Sequence, residues 1–205
     1  MRLLAHMLVV YTFISENRAM EFLGTSRVSE KRSLLRYELV GMVFIILLGS
    51  MLHFTFEWSG YHPIVGVFSA VNESVWEHLK IAFWPALLYL LFEYRYLPKN
   101  VNNFFVAKTL GIYAITLIIP VIFYSYTLFL EENLIIDIGS FIFAIILGQL
   151  ISYRLLISRK FAKFFELISI VALVILALAF VVFTFYPPTL EFFRDPTTGE
   201  YGIIT

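Results

Sequence analysis

The chain contains no cysteine. Disulfides, iron–sulfur clusters and cysteine-ligated zinc sites are therefore excluded. It has no net charge, since 15 basic residues balance 15 acidic ones, so its electrostatics give no argument for nucleic acid or an acidic partner. Charged residues are only 15% of the 205, and they fall between the apolar runs. The zinc-protease pattern H-E-x-x-H is absent, as are repeats of fixed period and low-complexity tracts.

What fills the sequence instead is apolar. Sixty per cent of it is hydrophobic, against about 45–50% in soluble domains. A soluble helix needs a polar face, and most of these runs have none. Five approach the length that crosses a bilayer, about 20 residues: 39–56, 72–97, 104–128, 134–156 and 164–186. The fold class expected is an all-α integral membrane protein, a bundle of five transmembrane helices in the lipid bilayer, multi-pass in the cell membrane. The bundle occupies 37–188, with an N-terminal cytoplasmic or interfacial segment at 1–36 and an external tail at 189–205.

Orientation follows from lysine and arginine, which favour the cytoplasmic side. Arg27, Lys31, Arg32 and Arg36 precede the first span. Arg95, Lys99 and Lys108 flank the second connection, and Arg154, Arg159, Lys160 and Lys163 the fourth. The alternate sides are acidic, with Lys80 and Arg194 their only basic residues. The amino terminus is thus expected inside and the carboxyl terminus outside. Trp58, Tyr61 and Trp76 fall at the outer interface on this scheme. Leu3 to Ile14 is too short to span comfortably and is expected to lie on the surface.

The stretch richest in chemistry runs from Leu52 to Lys80, L-H-F-T-F-E-W-S-G-Y-H-P-I-V-G-V-F-S-A-V-N-E-S-V-W-E-H-L-K. His53 and Glu57 share a helix face at the outer end of the first span. Gly60 and Pro63 break the helix. Asn72, or Ser74 with Glu77 in a capping box, opens the second span. Lys80 stands three residues from Glu77, in pairing range. One account of these residues is a capped helix start with a salt bridge.

The other account is functional. His53, His78, Glu73 and Glu77 offer nitrogen and oxygen donors that suit zinc or another divalent metal. Asp137, near the outer end of the fourth span, is the candidate to join them. Glu73 or Glu77 could serve as a general base, and Ser74 beside His78 as a nucleophile. Elsewhere Glu93 and Arg95 are expected to snorkel, and Gln149 and Ser152 to bond neighbouring helices. The tail, with Phe192, Phe193 and Tyr201, is a candidate to fold back over the outer mouth.

N-E-S-V-W-E-H-L-K at Asn72–Lys80, preceded by L-H-F and E-W-S-G, resembles an uncharacterised family of small multi-span prokaryotic membrane proteins, a domain of unknown function. The tail P-P…F-R-D-P-T-T-G-E-Y-G-I is similar to that family's ending. The resemblance spans Leu39–Ile203 and implies no activity, cofactor or substrate. Three function classes follow from the residues alone: a metal-dependent hydrolase of the outer leaflet acting on lipid or envelope substrates, a small transporter, or an accessory subunit of a membrane complex without a catalytic site.

Overall fold

A computed structural model describes residues 28–98 and 101–203 with their side chains, and residues 2–27 only as part of a helix. Arg27, Lys99 and the surface segment expected at Leu3–Ile14 lie outside the residues whose side chains are described. The order is α1 (Arg2–Trp58), α2 (Pro63–Gly66), α3 (Val75–Tyr96), α4 (Phe104–Thr127), α5 (Leu134–Leu156) and α6 (Lys163–Phe185), followed by a 3₁₀ turn at Glu191–Phe193. No strand forms among the described residues. Five helices are long and apolar enough to cross a membrane: Val28–Trp58 of α1, then α3, α4, α5 and α6. The chain is a multi-pass membrane protein.

Helix boundaries follow local chemistry. Ser74 caps α3, its hydroxyl accepting the Glu77 N–H. Asn133 caps α5, its side chain accepting from Ile135 and Ile136. Asn103 precedes α4 with φ 53°. Its amide donates to Leu155, Ser158 and Arg159 oxygens and its carbonyl accepts from Phe161 at 2.6 Å. One side chain thus ties the start of α4 to the α5–α6 connection. Pro187 and Pro188 follow α6, where a missing N–H and a fixed φ end a helix.

Packing depends on small residues where helices cross. A Cβ on Gly111 would meet the Gly148 carbonyl at 2.8 Å, and one on Gly148 would meet the Gly111 carbonyl at 2.6 Å. Both glycines therefore let the α4 and α5 backbones touch, as small residues do between membrane helices. Ile45, Phe83, Ile115 and Ile145 fill the centre of the bundle and are almost fully buried. On α6, Leu167, Val171, Val174, Ile175 and Leu178 are exposed. In water such a face would be costly; in lipid it is at home.

The segment 59–74 folds tightly over the junction of α1 and α3. Ser69 is fully buried. Its hydroxyl bonds to the Leu52 carbonyl, pairs with the Thr55 hydroxyl at 2.7 Å and accepts the Phe56 N–H at 3.0 Å. Behind it, Lys80 is also fully buried. Its ammonium meets Glu77 at 2.5 Å, the Gly66 carbonyl at 2.7 Å and the Thr184 hydroxyl at 2.8 Å. This pairing of Lys80 with Glu77 matches their three-residue spacing and extends to α2 and α6.

Candidate metal centre

Helix geometry brings three of the sequence candidates together. His53 sits about one turn before the end of α1, and His78 one turn into α3. Glu73 lies just ahead of the α3 cap. His78 Nε2 is 3.4 Å from Glu73 Oε2, and His53 Nε2 is 3.9 Å from Glu73 Oε1. The two imidazoles pack with centroids 5.2 Å apart. One donor atom from each of the three residues lies within 4.8 Å of the others.

The tautomer of His78 follows from its neighbour. His78 Nδ1 is 2.9 Å from the Ser74 carbonyl oxygen. A carbonyl can only accept, so Nδ1 carries the proton. In neutral imidazole, Nε2 then presents its lone pair to the Glu73 carboxylate. Two lone pairs facing each other need a cation between them, either a proton on Nε2 or a metal ion. Donation of the other ring N–H to a backbone carbonyl is also the usual way a metal-bound histidine is oriented. His53 Nδ1 is buried with no hydrogen-bond partner among the described residues. At 3.9 Å His53 does not hydrogen-bond Glu73, so the two are neighbours in a cluster, not a closed pair.

The remaining candidates are engaged elsewhere. Glu77 is buried, bound to Lys80 and accepting the Val71 N–H at 3.0 Å. The Ser74 hydroxyl serves the helix cap; it is the Ser74 carbonyl that meets His78. Asp137 accepts from the Tyr126 hydroxyl at 2.6 Å, at the α4–α5 turn. It does not join the histidines.

The tail supplies what the sequence pattern did not assign to this centre. Asp195 Oδ2 accepts the Glu73 N–H at 3.1 Å. The Asn72 amide donates to the Gly202 carbonyl at 2.8 Å. Trp76 packs against Phe193 at 4.9 Å between ring centroids and against Phe180 at 4.6 Å. The hydrogen bond with His78 holds the Glu73 carboxyl below the usual range, with burial opposing it. Burial pushes Asp195 up. The Thr197 hydroxyl and the N–H groups of Glu73, Thr198 and Thr197 outweigh that, and its carboxyl is held below its ordinary value.

A second polar group lies near the other end of α3. Glu38 of α1, Glu93 of α3 and Lys108 of α4 meet in the interior, all buried. The sequence had placed Glu93 among snorkelling side chains and Lys108 in a basic connection. Only tertiary contact reveals this group, because Glu38, the third member, lies far from both in sequence.

The model of a family described as "Family of unknown function (DUF6512)" matches residues 26–203. No curated protein and no solved structure matches.

Proposed function

Given that the chain belongs to the family of unknown function DUF6512, we propose that it is a metal-dependent membrane hydrolase. His53, Glu73 and His78 hold a divalent ion of the zinc type at the outer leaflet. The observation that carries this is the spacing of the donors. Ligands about 2.0–2.2 Å from a tetrahedral ion stand roughly 3.3–3.6 Å apart. The Glu73–His78 separation of 3.4 Å falls in that range; the Glu73–His53 separation of 3.9 Å, which involves the other carboxylate oxygen, and the 4.8 Å within which all three donors lie are brought into it by the side chains closing on the ion.

Two histidines and one carboxylate are a ligand set of catalytic zinc sites. Such an ion has a fourth position open to water, whose pKa it lowers to about 7. Glu73 is half exposed, so a substrate can reach the cluster. Glu73 stands between the two imidazoles, within 3.4 Å of His78 and 3.9 Å of His53, and Ser74 holds His78 in the ligating tautomer. The position at the end of two spans suits lipid or envelope esters presented at the membrane surface. A transport role would require Ile45, Phe83, Ile115 and Ile145 to part, which disfavours it.

The test uses full-length protein purified without a polyhistidine tag, stripped with chelator and titrated with zinc. One ion per chain is expected, with binding lost in Glu73→Ala and His78→Ala. Zinc should restore hydrolysis of a fluorogenic phospholipid or acyl ester. Absence of stoichiometric binding would remove the metal site. Binding without hydrolysis would remove only the enzyme.

A further inference from the structure

The Glu38–Glu93–Lys108 group carries an unbalanced charge. Lys108 Nζ is 2.7 Å from Glu38 Oε1 and 2.5 Å from Glu93 Oε2. It is the only cation within ion-pair distance of either carboxylate among the described residues. Ser152 of α5 donates to the same Glu38 oxygen at 2.8 Å. Two carboxylates and one ammonium sum to one negative charge, in an interior where these side chains are at most 4% exposed.

Other polar groups around the site do not balance it. Tyr89 of α3 and Gln149 of α5 lie beside Gly41 of α1, and both are uncharged. Glu166 of α6 turns to the Phe105 N–H at 2.9 Å. Arg95 lies over the Tyr96 ring, and Arg154 is exposed. Glu38 Oε2 and both Glu93 oxygens have no hydrogen-bond partner; the short Glu93–Lys108 approach is an ion contact outside hydrogen-bond geometry. A buried net charge is neutralised when it can be.

We propose that Glu38, Glu93 and Lys108 form a proton-binding site, with one carboxyl holding a proton while the other pairs with Lys108. A proton fits where a metal ion does not. The ammonium already occupies the gap between the carboxylates, and a second cation there would be repelled by it. A proton adds no volume and uses an oxygen that is otherwise unpartnered. The site lies about 22 Å along α3 from His78, counting about 1.5 Å per residue, and it does not depend on the metal centre.

Infrared spectroscopy of the full-length protein in lipid nanodiscs tests this. At neutral pH the protein should show the carbonyl stretch of an un-ionised carboxylic acid, shifted in D2O. The band should be lost in Glu93→Gln or Glu38→Gln and kept in Glu77→Gln. Each single amide variant should fold, because an amide mimics the neutral acid. The double variant Glu38→Gln/Glu93→Gln should lose stability, since Lys108 is left unpaired. Absence of the band, its persistence in both single variants, or its disappearance when sodium replaces a bulky organic cation would overturn the proposal. Failure of both single variants to fold would overturn it too, because a site with one neutral carboxyl accepts an amide.

Discussion

The backbone N–H of Glu73 donates to Asp195 at 3.1 Å, so the carboxylate that lies beside two histidines is positioned by a residue from the tail. Asp195 also accepts from the Thr197 hydroxyl and from the N–H groups of Thr197 and Thr198. Its replacement by alanine should free the tail and loosen Glu73. Supporting residues of this kind typically change metal affinity by about 10–100-fold. Zinc titration should show a loss of that size in Asp195→Ala, with hydrogen exchange accelerated across 190–202. An unchanged tail in that variant would refute the latch.

The same bond gives a pH dependence. Asp195 is held below its unfolded value of about 3.9. A carboxylate with a depressed folded pKa stabilises above the unfolded value. Tail docking should therefore be complete at neutral pH and fade as pH falls below about 4, through the lower folded value. Trp76 fluorescence, which senses Phe193, should report the release, and Asp195→Asn should remove its pH dependence.

The Glu77–Lys80 pair is fully buried, so its members should not be interchangeable with neutral residues one at a time. Glu77→Gln or Lys80→Met should each cost about 3–5 kcal/mol, the penalty of an uncompensated buried charge. The double change Glu77→Leu/Lys80→Met should recover much of that loss. Thermal unfolding in detergent measures it, and additive losses would argue against a coupled pair.

The Gly111–Gly148 contact sets the α4–α5 spacing. Gly148→Val would drive methyl groups into the Gly111 carbonyl and Ile115, and should cost about 1–3 kcal/mol or more. Gly139→Ala meets nothing within 4 Å and should be close to neutral. Comparable losses in both variants would mean that the close crossing is not what matters.

The cysteine-free chain permits a direct test of orientation. Single cysteines at Thr198 and Lys160 should differ with an impermeant thiol reagent on intact cells. Thr198 is expected to label and Lys160 to stay silent. The reverse pattern would invert the scheme and put the histidine cluster on the cytoplasmic face.

The five spans were legible because apolar length is a property of contiguous sequence. Their ends were less so. Helix α1 continues on the N-terminal side of Leu39, because Lys31, Arg32 and Arg36 interrupt hydropathy without interrupting the helix. The cap of α3 falls on Ser74, the second of the two caps the sequence offered; Asn72 instead bonds Ser74 and the tail. His53, Glu73 and His78 could be nominated because one short connection returns the chain to the same membrane surface. Asp195 and Glu38 could not be placed, since each acts across long sequence separations through a contact with no periodic signature.

The tail latch also orders events in time. His53, Glu73 and His78 emerge from the ribosome early, yet the groups that fix Glu73 and Asn72 come from Asp195 and Gly202. Chains fold from the amino terminus as they are made. The contacts of Glu73 and Asn72 are therefore complete only after α4, α5 and α6 have been made and the tail has docked. A chain stalled before Asp195 carries His53, Glu73 and His78 but lacks the groups that fix Glu73 and Asn72.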